Sequence, residues 1–203
     1  MKLVQLVVLF MDMATTITEA QQKCRALVLQ GGGDRGAYEA GAVLGLVKNA
    51  QNPIDFQYDV LTGVSAGSIN ALCMMIYPKG MEPIMVEFLN NSWLATSQGD
   101  IFTNYPGGVA QGLALEISLY NNDPELNYLR SQVYADPDQR KSTIVTTDIN
   151  TGEKIIFTEQ DWRKDKEFAA RVALFSSAIP FMFKYRQYGD HVFVDGGWSE
   201  SLD

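Results

Sequence analysis

Short apolar runs that end in glycine alternate, early in this chain, with stretches whose apolar positions recur at helical spacing. Residues 25–30 carry Ala26-Leu27-Val28-Leu29 directly ahead of three glycines, which predicts a buried parallel strand. Residues 35–50 place Ala37, Ala40, Val43, Leu44 and Val47 on one helical face. Residues 57–62 read as a second buried strand, and 66–77 as a helix of small and apolar residues. Helices are also predicted over 82–94 and 124–134. Residues 99–112, rich in Gly, Asn and aromatic side chains, read as an irregular surface loop between them. Further on, 143–148 and 154–158 are β-rich runs joined by Asn150-Thr151-Gly152, a hairpin signal. Residues 167–176 return to helical spacing until Pro180 ends it, and His191-Val192-Phe193-Val194 forms a last strand. Strands joined through helices predict an α/β fold, a three-layer sandwich around a mostly parallel central sheet. Ligands of such folds bind at the carboxyl ends of the strands.

Composition narrows the chemistry. The 203 residues suit one domain, and 24 acidic against 16 basic residues give a net charge of −8. That balance argues against nucleic acid, which needs clustered Lys and Arg, and against docking on anionic lipid through a basic patch. Two cysteines, Cys24 and Cys73, make no disulfide framework. A single histidine, His191, excludes a histidine-rich metal site. Residues 1–20 resemble a secretory leader: Lys2, the apolar stretch from Leu3 to Met11, and a small residue at Ala20. A first strand or a disordered leader would look similar, and Asp12 interrupts the pattern. The apolar stretch is too short to span a bilayer, so no transmembrane helix is expected. With the leader the protein is secreted or enters the endomembrane lumen; without it the protein is cytoplasmic.

Three glycine motifs fall at predicted strand ends. Gly63-Val64-Ser65-Ala66-Gly67 follows the second strand and opens a helix, the placement of a nucleophile elbow that holds Ser65 exposed. A bare glycine turn is its ordinary alternative. Gly31-Gly32-Gly33-Asp34-Arg35-Gly36 follows the first strand and offers backbone N–H groups to an oxyanion. Read as G-x-G-x-x-G, the same loop fits a dinucleotide fingerprint, although Asp59 sits inside its strand where an acidic residue is wanted at the end. The base for Ser65 has two candidates. One is His191 in a triad with Asp148. The other is Asp195, which ends the last strand ahead of Gly196 and Gly197 and can act directly if burial raises its pKa.

Together the three motifs resemble the patatin-like phospholipase family, whose pattern is a GGGxRG oxyanion loop, a GxSxG nucleophile and a DG[AG] aspartate in that order. Ser176-Ser177-Ala178-Ile179-Pro180 is similar to the serine-rich helix end that the family carries before its aspartate strand. The resemblance covers residues 25–203. It departs at Asp34, where an apolar residue is usual, and in the missing C-terminal continuation, which suggests a truncated domain. It implies a lipid acyl hydrolase acting on phospholipid or acylglycerol esters through Ser65 and Asp195, without a metal or other cofactor, at a membrane or lipid-droplet surface. A non-catalytic lipid-binding or storage protein on the same scaffold is the alternative. Phe102, Tyr105, Phe181 and Phe183 are candidates for an acyl groove, with core packing as their commoner fate.

Overall fold

The computed structural model describes residues 24–163 and 165–201, so the leader read over residues 1–20 lies outside the described residues. Eight strands are formed: β1 (Ala26–Leu29), β2 (Val60–Val64), β3 (Ser118–Tyr120), β4 (Lys141–Asp148), β5 (Lys154–Thr158), β6 (Phe181–Phe183), β7 (Arg186–Tyr188) and β8 (His191–Asp195). The helices are α1 (Gly36–Lys48), α2 (Ala66–Met75), α3 (Glu82–Ala95), α4 (Gln98–Ile101), α5 (Gly108–Gln111), α6 (Asp123–Gln132), α7 (Glu159–Trp162) and α8 (Lys166–Ser177). The main sheet runs β1-β2-β4-β8-β7, with β5 also on β4, and β3 pairs with β6 in a separate ribbon. Strands β1, β2 and β4 are parallel, whereas β5, β7 and β8 add antiparallel pairings.

Register explains which side chains reach the core. Leu29, Gly63, Ile144 and Phe157 form one row across the sheet, facing the helices. Helices α2 and α8 lie on that face, and α1, α3 and α6 pack on them in turn, giving three layers. Being sandwiched, all ten residues of α2 are buried. The apolar cluster joins Leu29, Leu61 and Ile144 of the sheet to Leu72, Met85, Leu89, Leu129 and Phe175 of the helices. Phe193 of β8 stacks on Phe175 of α8, with ring centroids 5.0 Å apart.

Most predicted elements hold, with bounds moved by a few residues. The 143–148 and 154–158 runs pair as the hairpin that Asn150-Thr151-Gly152 predicts. Two expectations are corrected. The 25–30 run forms a strand, but β1 ends the strand order among the described residues and Val28 is 69% exposed. A continuous apolar run looks the same in the middle of a parallel sheet as at its edge, because it carries no information about neighbours. The 99–112 stretch is also more ordered than a loop. It holds α4 and α5, and Ser97 and Asp100 cap α4 reciprocally.

Candidate active site

The path of β4 brings two distant motifs together. Val64, the last residue of β2, pairs with Val145, and Asp195, the last residue of β8, pairs with the next position, Thr146. Because β5 occupies the other edge of β4, β2 and β8 share one edge and run toward each other. Their carboxyl ends meet tip to tip. Ser65 and Asp195, 130 positions apart in sequence, are thereby brought within hydrogen-bond distance: Ser65 Oγ donates to Asp195 Oδ2 at 2.7 Å. Both residues are buried.

Ser65 sits in a backbone conformation that side chains rarely adopt, with φ 55° and ψ −133°, immediately ahead of α2. Such a conformation costs on the order of 1–3 kcal/mol and persists only where surroundings impose it. The flanking glycines supply that imposition by close approach. A Cβ on Gly67 would lie 2.1 Å from the Leu29 carbonyl oxygen, and one on Gly63 would lie 2.5 Å from the Gly67 carbonyl oxygen. The sharp turn therefore requires Gly63 and Gly67, while Val64 and Ala66 are buried beside Ser65. Ser176 completes the clamp: its Oγ accepts from the Ser65 N–H at 2.9 Å and donates to the Val145 carbonyl at 2.6 Å.

The upstream glycine loop lies against this turn. Gly31, Gly32 and Gly33 all have positive φ, and a Cβ on Gly31 would meet the amide nitrogens of Gly67 and Ala66 at 2.6 and 2.8 Å. Gly33, Asp34 and Arg35 form a 3-10 turn, with Asp34 and Arg35 exposed, before buried Gly36 opens α1. Glu39 of α1 anchors the loop by accepting from the Gly31 N–H at 2.8 Å. Asn70 of α2 donates to Glu39 Oε2 and to the Gly36 carbonyl, and Trp93 Nε1 donates to Asn70 Oδ1. Nothing in the motif pattern pointed to Glu39, Asn70 or Trp93. Their helical positions carry no distinguishing spacing.

Asp195 has a defined environment. Its Oδ1 accepts from the Gly197 N–H at 2.8 Å, and its own N–H donates to the Ala178 carbonyl at 2.9 Å. Gly196 is pressed on β4, where a Cβ would lie 2.2 Å from the Val145 carbonyl oxygen. Burial raises the Asp195 carboxyl above the ordinary aspartate range, against the opposing pull of the Ser65 and Gly197 hydrogen bonds.

His191 is placed differently. Its Nδ1 lies 2.8 Å from Asp148 Oδ2, at the far end of β8 from Asp195. The hydrogen bond to His191 holds the Asp148 carboxyl below its usual range. The Asp148–His191 pair expected in a triad thus forms, while Ser65 pairs with Asp195 instead. In the antiparallel register Asp148 faces Phe193 and Thr146 faces Asp195, which sets the two pairs apart.

Ser65, Ala66, Gly33 and Asp34 open onto a cavity of about 530 Å³. Its walls are largely apolar: Ile69, Trp93, Ile101, Phe102, Ile179 and Phe183 contribute. Phe102 and Phe183 thus meet the groove expectation. Tyr105 is buried against Ser118, and Phe181 is 65% exposed rather than lining the cavity. One acid in the wall, Glu125, had no sequence signal. Among the described residues no group of three His, Cys, Asp or Glu side chains gathers as metal ligands, and no helix is long and apolar enough to cross a membrane.

Fold and site together define an α/β domain with a serine elbow in the wall of an apolar cavity. The chain belongs to the patatin-like phospholipase family, whose sequence model matches residues 27–203. The dinucleotide reading of the glycine loop loses its footing with that assignment. Sequence comparison with curated proteins gives no match. Among solved structures the chain is similar to VipD from Legionella pneumophila, with 16% identity and a TM-score of 0.46; the match covers 89% of this chain and 48% of VipD.

Proposed function

We propose that the protein is a lipid acyl hydrolase that cleaves carboxylic esters of phospholipids or acylglycerols through Ser65, with Asp195 as its base. The observation that carries this reading is the 2.7 Å hydrogen bond between Ser65 Oγ and Asp195 Oδ2, with Ser65 in the wall of an apolar cavity. Ser65 Oγ attacks the ester carbonyl as its proton passes to Asp195, giving a tetrahedral oxyanion and then an acyl-enzyme. The Ser65 amide is engaged by Ser176, so the oxyanion falls to loop amides such as those of Gly32 and Gly33. The positive end of α2, whose N-cap is Ser65, favours the same negative charge. The proton returned by Asp195 releases the alcohol, and water, deprotonated by Asp195, releases the acid.

A fluorophosphonate probe tests this reading. Covalent labelling on Ser65, abolished in Ser65→Ala, is the expected result; a folded protein that takes no label would instead be a lipid-binding or storage scaffold. His191→Ala is expected to change kcat/KM less than about threefold on a soluble ester, since its partner is Asp148. A loss approaching the range of about 10²–10⁴ that a general base supplies would reinstate the triad.

The substrate comes from a lipid surface in this reading. Leu113 (56%), Leu115 (74%) and Ile117 (59%) are exposed just ahead of β3, whose Ser118 pairs with exposed Phe181 of β6, next to Met182 and Phe183 of the cavity wall. The charges among them, Glu116 and Lys184, pair with each other at 2.6 Å. An exposed apolar segment whose neighbouring lysine is held by a glutamate suits a zwitterionic or neutral lipid surface. Burying a leucine side chain is worth about 1.5–3 kcal/mol, so Leu113→Asp with Leu115→Asp is expected to weaken binding to phosphatidylcholine vesicles at least about tenfold. Turnover of a soluble short-chain ester should be unchanged; vesicle binding equal to the parent's would remove this surface from the reading.

A further inference from the structure

The last two residues of α8 and its C-cap, Ala178, touch three different parts of the site. Ser176 Oγ accepts from the Ser65 N–H, and the Ala178 carbonyl accepts from the Asp195 N–H. Between them, Ser177 Oγ donates to Glu125 Oε1. Glu125 is only 1% exposed, lies near the start of α6 and lines the same cavity as Ser65. Its other oxygen accepts from Asn122 Nδ2 at 3.1 Å. A buried carboxyl at this position is costly unless the site uses it or neutralises it.

The charged groups around Glu125 come from three elements. Asp195 of β8 repels a negative charge on it, and Arg186 of β7 attracts one. Arg186 is itself held by Asp123 and Asn122, the two residues close ahead of Glu125 on α6 and its cap. Helix α8 contributes the Ser177 hydroxyl. Burial is the largest influence on the Glu125 carboxyl. Set against the Ser177 and Asn122 hydrogen bonds and Arg186, and aided by Asp195, it pushes the carboxyl up to about 7. Geometry accommodates both protonation states. When neutral, Glu125 can donate to Ser177 Oγ, which can turn its own hydrogen to the Leu174 carbonyl 3.3 Å away. When ionised, Glu125 needs that hydrogen for itself.

We propose that Glu125 is a positioning residue for the Ser65–Asp195 pair and that it works in its neutral form. Carrying its proton, Glu125 fixes the last turn of α8, and through Ser176 and Ala178 the elbow and the base. Losing it, Glu125 reorients Ser177 and sets a second negative charge near Asp195, just where the anionic tetrahedral intermediate forms. The inference rests on the acyl-hydrolase reading for its kinetic consequence, though not for the titration itself.

The test has two arms. On a soluble short-chain ester, kcat/KM of the parent enzyme is expected to fall as pH rises through about 7, mainly through kcat. Glu125→Gln, a neutral isostere, should rescue activity above that pH and flatten the alkaline limb, whereas Glu125→Ala should lower kcat at every pH. A limb that persists unchanged in Glu125→Gln overturns the proposal. The second arm needs no turnover: carbon-13 glutamate NMR of the free protein should show one carboxyl titrating near 7, shifted downward in Asp195→Asn. A Glu125 that titrates in the ordinary glutamate range, near 4.3, overturns it equally, even in a protein that hydrolyses nothing.

Discussion

Ser65→Ala is expected to abolish ester hydrolysis, lowering kcat by as much as about 10⁶-fold, the scale seen when a serine hydrolase loses its nucleophile. The fold should survive. Ser65 owes its φ of 55° to the contacts of Gly63, Gly67 and Gly31 and to the Ser176 clamp on its amide, none of which involves its hydroxyl. Alanine inherits the same backbone strain, so stability should change little. The change removes the hydrogen bond that favours ionised Asp195, and the Asp195 carboxyl should rise further as a result. Binding of a non-hydrolysable ester analogue should persist, because Ile69, Phe102, Ile179 and Phe183 line the cavity independently of Ser65. Measured turnover on a soluble ester, alongside analogue binding by calorimetry, separates loss of chemistry from loss of the site. Retained turnover would sink the nucleophile assignment.

The sequence made the components of this site legible and left their meeting hidden. Gly63 and Gly67 announce themselves because no other residue permits the 2.1–2.5 Å approaches at the elbow. Asp195 is legible for a related reason: Gly196 follows it at another close approach to β4. The abutment of β2 and β8 along β4 was not legible. It depends on β8 running antiparallel on the same edge as β2, a pairing over a long sequence separation that local periodicity does not encode. The three-residue strands β3, β6 and β7 escaped because such segments are too short to display alternation. Glu125 and Asn70 escaped for another reason. A polar residue in a helix reads as solvent-facing, and only the stacking of two helix layers on the sheet buries these two. His191 is the converse case: a lone histidine attracts a catalytic reading, and the register places it with Asp148 at the far end of β8 from Asp195.

Asp195→Asn is the sharper test of mechanism, because it preserves shape and removes the basicity. The asparagine oxygen can keep the Gly197 N–H, while its amide nitrogen takes the place of Oδ2 and donates to Ser65 Oγ, so the contacts of the elbow should hold with that one bond reversed. What is lost is proton acceptance, worth about 10²–10⁴-fold for a positioned general base. A loss of that size in kcat, with little change in KM, is expected on a soluble ester. The pH profile adds a sign. Burial raises the Asp195 carboxyl, so in the parent enzyme activity should fall as pH drops through a value above the ordinary aspartate range. That acid limb belongs to Asp195 and should vanish from whatever activity the asparagine variant retains. Stability moves the other way. A group whose pKa is raised on folding contributes stability at low pH that is lost as pH rises through the folded value, so the parent carries a buried charge at neutral pH that the variant does not. Asp195→Asn should therefore be at least as stable as the parent at pH 7 while being far less active. An inactive variant with a lowered melting temperature would point to a structural role for Asp195, and one with near-parent activity would remove it as the base.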